Sequence, residues 1–200
     1  MTQKEDWIDG AVTTTKGAGN PTGSVVNLCE DAKAQLVRGC EDLITALRHE
    51  PIVGQTTFDQ VLFETISRVE RGANPHVDTT LFTFGRSQKF VTISLKYCYV
   101  WWFCKKQASP CYGDLDWVDK WAPHFHVPVD NFTLKHLSET PHGHIAVSGN
   151  TVISWKWHLT RSRYCRIQDA IRNLVKSGDY DDPIHYEMDR IWTRAEEEGQ

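Results

Sequence analysis

Two helical patterns joined by a long connection, between residues 84 and 137, constrain this chain more than any other feature. Gly85 can turn the backbone. After it, Phe90, Ile93, Tyr97, Val100, Trp101 and Cys104 recur every three or four residues, the spacing that gathers apolar side chains on one helix face over 87–106. Lys89 then falls in the first turn of a buried helix, where the positive helix end and the core beneath disfavour an ammonium. A neutral amine is a nucleophile. Downstream, Pro128 favours an extended residue before it, and Asp130 opens a second helix over 130–137, where its carboxylate can accept backbone N–H bonds. An aspartate there is also an ordinary helix cap, and Lys89 could simply be solvated or touch a phosphate.

These stretches resemble the helix-hairpin-helix DNA glycosylase superfamily, and most closely its archaeal 8-oxoguanine glycosylase branch. Gln88–Lys89 before an apolar helix matches the branch's Schiff-base lysine, and Pro128–Val129–Asp130 matches the segment carrying its aspartate. Residues 164–168 and 183–192 are similar to its closing helices, so the likeness covers 80–195 in patches. In place of the family's hairpin stands Phe84, Gly85, Arg86 and Ser87, and the connection between Lys89 and Asp130 is longer.

The resemblance implies a mostly α, two-lobed fold with the active site in the interlobe cleft. It implies an enzyme that flips a modified base out of double-stranded DNA and cuts its glycosidic bond, with β-lyase activity through a lysine Schiff base. Asp130 would stabilise the developing sugar cation and Lys89 would be the nucleophile. Gln88, Glu187, Trp192 and His126 would contact the base. Gly85, Arg86, Arg161, Arg163 and Arg166 would hold the DNA backbone. Glu187 stands one residue further from Trp192 than the resemblance implies, and it could equally be a surface glutamate. Lys96, two turns beyond Lys89, is the competing lysine, better suited to a structural ion pair. Substrates consistent with the resemblance are 8-oxoguanine, as in DNA repair, and glucosylated hydroxymethylcytosine of phage DNA, as in antiviral defence. A catalytically inactive DNA-binding or adaptor protein is the alternative, and a metal-dependent nuclease the third.

The net charge of −4 argues against bulk attraction to nucleic acid, but a local patch suffices. Lys156, Arg161, Arg163, Arg166, Arg172 and Lys176 face one acid, Asp169, within 156–176. No signal peptide and no apolar run of membrane length is present, so a cytoplasmic monomer with reduced thiols is expected. None of the six cysteines falls in an iron–sulfur spacing. The pairs His124/His126 and His142/His144 lie in loops without a helix-borne glutamate, a weak zinc signal. No metal or cofactor is expected.

Residues 1–24, rich in Gly and Thr, read as a flexible tail, and 25–200 as a single helical domain. Helices are expected over 25–49, over 58–71 with Thr57 as cap and Gly72 as stop, over 162–176 and over 183–197. Asn74–Pro75 reads as a turn, and Asp78 as the cap of a short helix. A short amphipathic stretch is expected over 115–121, and a small β-hairpin around Ser148, Gly149 and Asn150.

Overall fold

In a computed structural model the protein is described over residues 30–73, 83–108, 115–149, 151–178 and 180–193. The tail over 1–24, the Asn74–Pro75 turn and the Asp78 cap lie outside the described residues. Among the described residues the chain is mostly helical with one small two-stranded sheet, as expected.

Helix α1 (Glu30–His49) packs on α2 (Gln55–Ala73). Leu36, Cys40, Leu43 and Leu47 meet Phe58, Leu62, Ile66 and Val69 in the core, each set at helical spacing. Thr57 is not the cap of α2. Gly54 offers its carbonyl to the Phe58 N–H at 3.0 Å, so the helix begins at Gln55 and Thr57 lies inside it.

Helix α3 (Phe84–Ala108) begins three residues earlier than the apolar spacing suggests. Gly85 therefore lies within its first turn and Lys89 in its second. Its buried face also differs from the expected one. Phe90, Val91, Leu95, Cys98, Tyr99 and Trp102 are buried, whereas Ile93, Tyr97 and Val100 are half-buried and Trp101 is 52% exposed. The first half of α3 is covered on nearly every side, polar Ser87, Gln88, Thr92 and Ser94 included, so the alternation of polar and apolar residues there does not mark which side faces the core.

Helix α4 (Asp116–Trp121) runs into a 3₁₀ turn, Ala122–His124. The Trp121 indole donates to the Leu47 carbonyl at 2.9 Å, tying this connection to the end of α1. Residues 125–130 form a buried segment leading into α5 (Asn131–Ser138). The hairpin follows as β1 (Val147–Ser148) and β2 (Thr151–Val152), antiparallel, with Gly149 at φ +62° in the turn. Only glycine adopts that angle without strain.

A four-residue helix, α6 (Trp155–His158), was not foreseen; α7 (Arg161–Ser177) follows. The last helix is not continuous α: α8 (Pro183–Tyr186) passes into a π turn, Glu187–Trp192. Among the described residues no helix is long and apolar enough to cross a membrane.

Candidate functional site

The segment before Asp130 runs through the core with no strand beside it among the described residues, yet the backbone groups of 127–129 are paired. The Gln168 side chain, from α7, accepts the Val127 N–H at 3.0 Å and donates to the Val127 carbonyl at 2.9 Å. Gln88, from α3, does the same at Val129, accepting at 3.3 Å and donating at 2.8 Å. Pro128 has no N–H to satisfy, and its carbonyl accepts from the Thr133 hydroxyl at 2.7 Å. Two side-chain amides thus replace the ladder partners that buried backbone requires.

Asp130 ends this segment and caps α5. Its Oδ1 accepts the N–H groups of Phe132 and Thr133 at 3.0 and 3.1 Å. Its Oδ2 accepts from Lys89 Nζ at 2.9 Å. The two residues are 41 positions apart in the chain, and each is under 10% exposed, at 7% for Lys89 and 6% for Asp130. Capping and facing the lysine thus fall to different oxygens of one carboxylate.

Helix α6 covers Lys89. Nζ lies 4.7 Å from the centroid of the Trp155 ring, within cation–π range. The turn is seated at the start of α3, where a Cβ on Gly85 would come 1.9 Å from the Trp155 carbonyl oxygen. Thr83 also donates its hydroxyl to the Lys156 carbonyl. Gly85 therefore serves this close approach and is buried rather than open to a phosphate. Arg86 is also buried, with its guanidinium 4.6 Å above the ring of exposed Trp157.

Two turns along α3, Lys96 meets Glu187 at 2.6 Å and stands 4.5 Å over the Trp192 ring. The structural ion pair expected for Lys96 is present. Glu187 is 2% exposed, so the surface reading of it does not hold. The π turn brings residues five apart onto one face, and the Trp192 indole N–H donates to Glu187 Oε1. The extra residue between them is absorbed by the winding. Burial pushes the Glu187 carboxyl upward, against the pull of Lys96, and the Asp130 charge adds to the rise. Phe132, in the first turn of α5, stacks obliquely on Trp192 at 5.7 Å between centroids.

The other sequence-derived candidates fall elsewhere. Gln88 is fully buried, with its amide engaged by Val129 and by the Gly85 carbonyl at 2.9 Å, which leaves none of its polar edge to a base. His126 points away from Asp130. Its Nδ1 meets the Tyr164 hydroxyl at 3.0 Å and its Nε2 meets Asp59 at 3.0 Å, among the rings of Phe58, Phe63 and Tyr164. Arg161 stacks over Phe63 at 4.0 Å, beside a cleft of about 870 Å³ between α2 and the start of α7. Arg166 is exposed and Arg163 half-buried on the same helix. Among the described residues no group of three or more His, Cys, Asp or Glu could hold a metal ion.

Gln168, Trp155 and Phe132 escape a reading of the sequence alone. Gln168 carried a signal, since it interrupts the apolar face of Tyr164, Ile167 and Ile171 and a buried amide demands partners. No family model, curated protein or solved structure matches this chain.

Proposed function

We propose that the chain is a DNA glycosylase with associated lyase activity, and that Lys89 and Asp130 carry the chemistry. The observation behind this reading is the buried contact between Lys89 Nζ and Asp130 Oδ2 at 2.9 Å, made by residues far apart in sequence. Oδ2 takes one ammonium proton, which frees the amine lone pair. The amine then attacks the sugar C1′, the C–N bond forms, and the glycosidic bond breaks with its electrons leaving on the base. The proton on Oδ2 passes to the departing base, and the Asp130 carboxylate, ionised again, offsets the positive charge on the sugar–amine adduct in a site of low dielectric. Ring opening gives an imine, and β-elimination releases the 3′ phosphate.

Trp192 and Phe132 offer aromatic faces to a flipped base, and Lys96 and Glu187 offer its edge one donor and one acceptor. An 8-oxoguanine-like base in repair and glucosylated hydroxymethylcytosine in phage defence are both consistent with these groups. The two-lobed glycosylase architecture, double-stranded DNA as partner, action as a monomer and a cytoplasmic setting belong to the same proposal. The burial of Lys89 and Asp130 favours one other reading, a catalytically inactive DNA-binding adaptor in which the pair is structural.

The test incubates the protein with duplexes carrying 8-oxoguanine, uracil or an alkylated purine and with phage DNA carrying glucosylated hydroxymethylcytosine, with and without borohydride. Base release with a trapped adduct is expected. Lys89→Ala should abolish trapping, and Asp130→Asn should slow base release about a hundred- to a thousandfold, the scale of one charge-stabilising group. Duplex binding unaffected by Asp130→Asn, with no abasic product from any DNA, would establish the adaptor instead.

A further inference from the structure

We infer that Gln168 is a positioning residue for this chemistry, the side chain that aims Asp130 at Lys89; the inference rests on the reading of that pair given above. A glutamine on the apolar face of α7, 1% exposed, is costly unless its amide is fully engaged. Both of its bonds go to one residue, Val127, three positions before Asp130. Gln88 and Lys89 are adjacent, and so are Val129 and Asp130, so the contacts 88–129 and 89–130 are consecutive rungs between the same two segments. These adjacent rungs, with the Thr133 hydroxyl on the Pro128 carbonyl, fix the end of the segment over 128–130 but not the line along which the chain arrives there. Gln168 supplies a second point two residues upstream, about 7 Å away along an extended chain, and from a different helix. With both points held, the direction in which the segment delivers the Asp130 carboxylate is set. A displacement of about 1 Å at a reacting group can cost as much as a hundredfold in rate.

The decisive variants are Gln168→Leu, which fills similar space without hydrogen bonds, and Gln168→Glu. A neutral carboxylic acid presents one acceptor and one donor, as the amide does. Its ionised form keeps the acceptor for the Val127 N–H and turns a lone pair on the Val127 carbonyl.

Three readouts are taken: borohydride trapping on an abasic duplex, affinity for that duplex, and acylation of Lys89 relative to Lys96 by mass spectrometry. Gln168→Leu should slow trapping about ten- to a hundredfold at unchanged DNA affinity and raise the Lys89 to Lys96 labelling ratio. Gln168→Glu, compared with the parent protein at each pH, should match it in acid and move toward Gln168→Leu as pH rises. Unchanged trapping and labelling in Gln168→Leu would overturn the inference, as would a Gln168→Glu protein that tracks the parent at every pH. A parent protein that traps no adduct would instead sink the lysine–lyase part of that reading, and the labelling ratio would still decide the role of Gln168. If Gln168→Leu does not fold, the pH series on folded Gln168→Glu carries the test.

Discussion

Asp130 divides its carboxylate, with one oxygen on the N–H groups of α5 and the other on Lys89, so substitutions remove separable things. Asp130→Asn keeps an oxygen for the cap but turns its amide N–H groups toward the lysine, donor against donor. Lys89→Met leaves a buried carboxylate with only its capping partners, the N–H groups of Phe132 and Thr133. Removing one partner of a buried pair costs about 3–5 kcal/mol, because the charge left behind is uncompensated. Lys89→Met is expected near the lower end of that range, since the α5 cap remains. The double variant should cost less than the two single changes together, by about 1–3 kcal/mol, and a urea-denaturation cycle measures the difference. The capping role of Asp130 was legible from Pro128 and the helix after it. Its meeting with Lys89 was legible only through the resemblance, because no local pattern links residues 41 apart. For Gln168 the residues around it showed that the amide needed partners but not which ones, since its partners are backbone groups and backbone carries no residue identity.

Among the elements, the junction of α3 and α6 depends on a missing side chain. Alanine in place of glycine usually favours a helix by about 0.5–1 kcal/mol, but at position 85 the new Cβ would meet a carbonyl oxygen that has no flexible end to yield. The clash wins. Gly85→Ala is expected to destabilise by about 1–3 kcal/mol, as overpacked sites do. Gly54→Ala, where a Cβ meets nothing within 4 Å, should change stability by less than about 0.5 kcal/mol. Thermal melts of the two variants side by side check the contrast. Element existence was legible from periodicity in α1, α2, α5 and α7, where one face is buried and the other wet. It failed for α6, where four residues hold no repeat, and it mistook the buried face of α3, where burial on nearly every side removes the contrast.

At the scale of the whole molecule, two buried titrating groups pull stability in opposite directions with pH. Burial lowers His126 below its ordinary 6.5, although Asp59 opposes the shift. Below that value the unfolded chain takes up a proton that the folded protein resists, so this contribution falls as pH falls. Burial raises Glu187 above its ordinary 4.5, and its contribution falls as pH rises above that value. Asp182, also raised by burial, shares the sign of Glu187. The pH slope of the parent protein's unfolding free energy between these values is therefore the difference of two opposing contributions. Glu187→Gln should leave a curve that drops more steeply as pH is lowered through 6.5, and His126→Asn one that drops as pH is raised through 4.5. Urea denaturation from pH 4.5 to 8 separates the two, and parallel curves for both variants would exclude this balance. That the chain is mostly helical was legible in its composition and spacing. The pairing of the segment before Asp130 was not, because side chains of α3 and α7 supply what a sheet would otherwise provide.

The π turn between Glu187 and Trp192 has one more consequence. Asp189 and Arg190 within it face solvent and both meet the Tyr180 hydroxyl, which donates to the Asp189 carboxylate and accepts from Arg190 Nε at 2.6 Å. Replacing either leaves the backbone path as it is. Deleting one would return the turn to ordinary α pitch with Trp192 four positions after Glu187, a spacing that keeps both on one helix face, whereas α winding at the present length would swing Trp192 about 100° around the axis, away from Lys96 and Phe132. Positions 189 and 190 of the stretch face solvent and are open to substitution, and in a lineage of this protein the spare residue and the π winding would be kept or lost together.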